Sequence, residues 1–266
     1  MFALRKSLPA FAVVCFCLTT ALPTVDLAAG ELRIETDVYS GDDSDSLSHT
    51  VTLFDAGTVY DFADKQQQVA VFRLPTASRE GQFILLDLAA KRRTEVSTEK
   101  IETLMSKLSK WAMEQEDEML KFSAKPDFDE TYESESGQLL LDSEQWTYTV
   151  ATVPAEDDGT LKDYRKFVDW YTRLNVMMHG APPPGPRLAL NAALEKHGVV
   201  PVEIRRKIEA EDTSLRATHL FSWRLSREDR AQVEQVREQL ASFEKVDNKN
   251  FLASRGNKDV VRGQSR

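Results

Sequence analysis

The sequence predicts an α+β fold, in which a large and mostly antiparallel sheet is covered on one face by amphipathic helices. Three observations point there. Strand-like alternation fills residues 31–97 almost without a break. Helix-period segments then come one at a time, each separated from the next by more strand material. No segment repeats another, so a solenoid is not expected. Closely spaced strands pair most simply with their sequence neighbours, which makes the sheet antiparallel, with about ten or eleven strands.

The first strand is carried by Leu32, Ile34, Thr36 and Val38, which alternate with charged residues. Val51 and Leu53, then Val59 and Asp61, flank the turn-like Asp55-Ala56-Gly57, so residues 49–65 read as a hairpin. Val69, Val71 and Arg73 alternate again, with Phe72 and Leu74 on the other face. Phe83 to Leu88 is nearly all apolar and reads as a more central strand, and Arg92 to Val96 closes a meander of six.

Thr98 can cap a helix that runs to Lys125-Pro126, with Ile101, Leu104, Met105, Leu108, Trp111 and Ala112 on one face. Strands are expected at Phe128–Glu135, Gln138–Leu141 and Trp146–Val153. Thr160-x-x-Asp163 reads as a capping box for a helix from Leu161 to Met178. The run from Ala181 to Pro186 is a rigid connector, closed by a short helix to Lys196 that His197-Gly198 stops. Val199–Ile208 and Leu215–Leu225 form a second hairpin. Ser226-x-x-Asp229 opens a last helix, with Val233, Val236, Leu240 and Phe243 on one stripe. Periodicity ends after Val246. A single α+β domain over 30–246 is therefore expected, followed by a mobile basic tail over 247–266 with five Lys/Arg against two Asp.

The first residues supply an address. Arg5 and Lys6 precede an uncharged run from Leu8 to Leu22, the layout of a signal peptide over 1–29, with cleavage after Ala21 or Ala29. The alternative is an uncleaved membrane anchor over residues 7–25. The chain is thus expected to be exported, periplasmic or extracellular. Cys15 and Cys17 both lie in that run, so the mature chain would hold neither a disulfide nor a thiol nucleophile. The 34 Lys+Arg against 43 Asp+Glu give a net charge of −9, which argues against a nucleic-acid partner. Any membrane contact would come through the N-terminal segment if it is retained.

Chemistry-bearing motifs are sparse. The four histidines, His49, His179, His197 and His219, fall in no metal-ligand spacing, and no nucleophile elbow, Walker loop or dinucleotide fingerprint occurs. Gly41 to Ser46 looks like a calcium loop but has Ser48 where the loop needs glycine. Nine carboxylates and two lysines in Glu114–Glu135 read as a solvated helix end and loop. No catalytic, cofactor or metal residue is therefore assigned, and no cofactor is implied. Met105, Trp111, Trp170, Tyr171, Met177 and Met178 enrich the helices in pliable and aromatic side chains. They either pack the helices on the sheet or line a cleft between sheet and helices.

The strands Val51–Phe62, Val69–Leu74 and Phe83–Leu88, in that order, resemble those of the periplasmic lipoprotein-carrier-like half-barrels. The resemblance covers about residues 31–225 as an order of elements. It implies an exported, incomplete barrel, covered by helices, that holds an apolar ligand, and it transfers no functional residue. The expected function is accordingly an exported, non-enzymatic protein that binds a lipid or other apolar molecule between sheet and helices. A structural or protein-interaction component of the cell envelope is the alternative, and an exported hydrolase with a dispersed site the second alternative.

Overall fold

The computed structural model describes residues 30–63, 67–210 and 214–252; residues 1–29, where a signal peptide or anchor is expected, and residues 253–266 lie outside that range. Its first half is a six-stranded meander: β1 (Leu32–Ser40), β2 (Ser48–Asp55), β3 (Thr58–Ala63), β4 (Gln68–Arg73), β5 (Gln82–Asp87) and β6 (Arg92–Ser97). Each strand pairs antiparallel with the next. The β2–β3 turn is made by Ala56 and Gly57, both at positive φ (47° and 73°), the two-residue geometry that suits the strand twist of a hairpin.

The helices α1 (Thr98–Met113) and α2 (Glu118–Ala124) follow. A single helix was the expectation. The chain breaks instead because Asp117 leaves helical geometry and its carboxylate accepts from the Met119 and Leu120 N–H groups, capping a second helix. Within α1, Ile101, Met105 and Ala112 are buried, whereas Leu104 and Trp111 lie at the exposed margin of the expected face.

A second meander completes the sheet: β7 (Asp129–Glu133), β8 (Gln138–Asp142), β9 (Trp146–Pro154), β10 (Val199–Ile208) and β11 (Leu215–Ser222). Between β9 and β10 lie α3 (Asp158–His179) and α4 (Gly185–Lys196). The α3 helix begins three residues before its expected start, because Asp157, not Thr160, is the cap; its carboxylate accepts from the Thr160 N–H at 2.6 Å. After α5 (Arg227–Ser242), Glu244 and Lys245 form β12, parallel to β6.

The two meanders join through β1 and β11, which pair antiparallel from Arg33↔Ser222 to Ser40↔Leu215. The result is one open sheet of twelve strands, β12 at one edge and β7 at the other. The acidic stretch ends in edge strand β7, whose exposed Asp129, Glu130 and Glu133 discourage further strand addition.

Strand alternation divides the apolar residues between two faces. On one, Phe54, Phe72, Phe83 and Leu85 pack with Ile101 and Met105 of α1 and with Leu161, Tyr164, Phe167 and Leu174 of α3. The same face, under β8–β10, takes Leu190, Ala193 and Leu194 of α4. On the opposite face Leu53, Tyr60, Val71, Ile84 and Leu86 pack against Val233 and Val236 of α5. The one-sided cover thus describes α1–α4, while α5 shields the back of the first meander.

The capping box that opens α5 is present: Asp229 N–H donates to Ser226 Oγ, and Ser226 N–H to the Asp229 carboxylate. Arg33 of β1 donates to the same carboxylate at 3.1 Å, tying α5 to the sheet.

The segment expected to be mobile from residue 247 is held over its first part. Val246 N–H donates to the Arg93 carbonyl, residues 248–252 are helical, and Phe251 is only 2% exposed in the main core.

Candidate functional site

The proline connector and the C-terminal half of α3 stand over the inner face of β9–β11, and beneath them is a cleft of about 610 Å³. That is within the range of small-molecule sites, about 300–1,000 Å³. Its floor is Trp146 and Tyr148 of β9, Ile204 and Ile208 of β10, and Ala217 of β11. Its roof is Thr172, Asn175 and Val176 of α3 with Pro182 to Pro184, and Met119 and Ser123 of α2 close one side. The exposed wall is mostly apolar.

Local sequence explains the roof. Gly180 ends α3 in the left-handed conformation (φ 65°), the prolines that follow fix φ along the connector and remove its backbone donors, and Pro186 stands in the first turn of α4. Gly185 allows α4 to lie against α2: a Cβ there would fall 2.5 Å from the Ser123 carbonyl oxygen. The cleft depends on that close approach.

Two guanidinium groups line this apolar space, Arg187 from the first turn of α4 and Arg206 from β10. Arg206 lies over the Trp146 ring, 5.4 Å from its centroid. Arg187 is half-buried, and among the described residues no carboxylate pairs with it. Its charge reaches Tyr148, Tyr164 and His219.

On the other side of α3 is a small cavity of about 70 Å³, and Asn175 and His179 line both spaces. Asp61 of β3 stands at its wall, 3% exposed. It accepts 2.6 Å hydrogen bonds from Thr52 Oγ1 and from the Tyr171 hydroxyl of α3. Burial pushes its carboxyl above the ordinary range, against those two bonds. This bond fastens α3 to the middle of the first meander.

The histidines are dispersed. His49 pairs with Asp37 at 3.0 Å near the start of β2, and His197 with Glu130 at 2.7 Å while stacking on Tyr132. His219 lies mid-strand, with Nδ1 2.9 Å from Thr36 Oγ1 and Nε2 buried without a hydrogen-bond partner. Burial, with the Arg187 charge behind it, pushes this imidazole down to about 3. A group so weakly basic is a poor general base near neutral pH.

Other sequence expectations resolve as follows. Asp42, in the loop that resembles a calcium site, forms an ion pair with Arg205 at 2.8 Å. Trp170, Tyr171, Met177 and Met178 pack against the main core, so the cleft is walled by Trp146, Tyr148, Met119 and the prolines instead. Arg187, Arg206 and Asp61 were not foreseen. A lone arginine beside a proline has no pattern, but Asp61 shares the inward register of Val59, and that is a detectable signal. Among the described residues no helix is long and apolar enough to cross a membrane.

No protein-family model matches the chain, and no curated protein matches it.

Proposed function

We propose that the protein is an exported, non-enzymatic binding protein that holds a lipid or other apolar molecule between its sheet and its helices. The observation that carries this reading is the cleft of about 610 Å³ beneath the proline connector, walled by Trp146, Ile204, Ile208 and Val176. A water-filled space with such walls gains free energy when an apolar group displaces the water. The signal-like N-terminus and the resemblance to lipoprotein-carrier-like half-barrels support the same reading.

The test is uptake of the neutral fluorescent probe N-phenylnaphthylamine by purified protein. Binding with a blue shift is expected, and Ala217→Phe, which fills the floor of the cleft, should abolish it. A probe that stays in water, or one bound equally by the filled variant, refutes the reading. Export is checked by the intact mass of protein recovered from the cells that make it. Loss of the first 21 or 29 residues is expected, and a full-length chain in the cytoplasm contradicts it.

A further inference from the structure

We infer that the ligand of this cleft is an amphiphile with an acidic head, a long apolar tail ending in an oxyanion, and that Arg187 receives the head. The inference rests on the binding reading above and adds the chemical class of the ligand.

The charge distribution carries it. The whole chain has nine more carboxylates than cations, yet among the described residues no Asp or Glu lines the cleft, while Arg187 and Arg206 both do. Most arginines of the described sheet and helices have acidic partners: Arg33 with Glu35 and Asp229, Arg165 with Asp169 and Glu195, Arg230 with Glu31. Among the described residues Arg187 has none, although it is half-buried and close to an apolar wall. A guanidinium in such a place is costly unless an anion joins it, and its fork of donors matches a carboxylate or a phosphate.

The surroundings fit the same ligand. His219, close enough to feel the Arg187 charge, is held neutral, so it adds no second cation that would compete for the anion. Arg206 is held over the Trp146 ring on the floor, 5.4 Å from its centroid, and leaves the space open. Ile204, Ile208 and Ala217 continue the floor as an apolar track for the tail. A neutral lipid would fill the track and leave Arg187 without an anion; a small free anion would meet Arg187 and leave the track in contact with water.

The test is displacement of N-phenylnaphthylamine by three ligands with the same tail: dodecanoate, dodecyl phosphate and dodecanol. Wild-type protein should be emptied by at least one of the two anions at a concentration at least tenfold below that needed for dodecanol. The anion with the larger advantage identifies the head as carboxylate or phosphate. Arg187→Met should bring the ratio close to one, and Arg187→Lys should keep part of the preference. If Arg187→Met fails to fold, salt supplies the second readout. Between about 0.1 M and about 1 M the anion advantage should shrink by several-fold as the charge is screened, while dodecanol binding holds or tightens. Probe uptake with no preference among the three ligands, or a preference that survives both Arg187→Met and salt, overturns this inference and leaves the binding reading intact. No probe uptake overturns both.

Discussion

Replacing Phe251 by alanine tests whether the segment after β12 belongs to the folded domain. The ring is 2% exposed and packs in the cluster that also holds Phe72, Phe83 and Leu174. An aromatic side chain buries about 150–250 Å², worth about 4–6 kcal/mol at about 25 cal/mol per Å². Measured core Phe→Ala changes cost about 3–5 kcal/mol, because alanine keeps part of the contact. The lower end applies here. Phe251 already borders a cavity of about 70 Å³, and it sits on a short terminal helix whose local release limits the loss. We therefore expect Phe251→Ala to cost about 3 kcal/mol, a fall in the urea midpoint of about 1–1.5 M at an m-value of about 2–3 kcal/mol/M. The control is Leu252→Ala, whose side chain is 37% exposed and should cost no more than about 0.5 kcal/mol. Equal midpoints for the two variants would refute the packing argument and return residues 247–252 to a loose tail.

Three further predictions concern the polar anchors and the close approach of α2 and α4. Because burial raises the Asp61 carboxyl, the unfolded chain ionises first; the stability tied to this group is full below pH 3.8 and is lost as pH rises through the folded value. Asp61→Asn, which can still serve Thr52 and Tyr171, should gain on wild type between pH 4 and pH 7 in urea melts, and a pH-independent difference would contradict this. Ser226→Ala removes the α5 cap and should cost about 1 kcal/mol at neutral pH. Although burial pushes Asp229 up, its bonds from Ser226 and Arg33 hold it below the ordinary range. Its contribution is therefore present above pH 3.8 and lost on acidification, opposite in sign to Asp61, and a Ser226→Ala penalty that grows as pH falls below 3 would oppose it. Gly185→Ala should push α4 off Ser123 and Pro126, costing about 1–3 kcal/mol and weakening N-phenylnaphthylamine binding; wild-type values of both would show that the contact yields freely.

How much of this was legible in the sequence follows from the range of the interactions involved. Alternation is local, so β1 to β6 could be read from Leu32-x-Ile34 and its successors, and the Ser226-x-x-Asp229 box from four residues. The run from Phe83 to Leu88 carried more than was drawn from it. Phe83 and Leu85 face α1 and α3 while Ile84 and Leu86 face α5, so a strand apolar on both sides already called for cover on both sides. The break at Asp117 was hidden because Glu114 to Glu118 suits a helix interior as well as a cap. Phe251 stands alone in a polar stretch, and a single aromatic has no period to detect. A cleft between sheet and helices was legible as one of two readings of the Met and aromatic side chains. Its charged lining was not, because Arg187 and Trp146 meet only after α4 folds back on β9 and β10.

The pairing of β1 with β11 has a consequence in time. Thr36 and His219 touch across 183 residues of chain. At a synthesis rate of about 5–20 residues per second, β1 emerges roughly ten to forty seconds before its partner exists. Throughout that interval the first meander can form locally, but its β1 edge is open, and until α3 emerges Leu32 and Ile34 also lack their covering helix. Final assembly must then await a long loop closure, which places this protein among slow folders whose nascent state is exposed to aggregation or to capture by a chaperone. A circular permutant that begins at β11, so that only α5, β12 and the joined termini separate it from β1, should fold faster than the natural order, with the same twelve-stranded sheet as the end point.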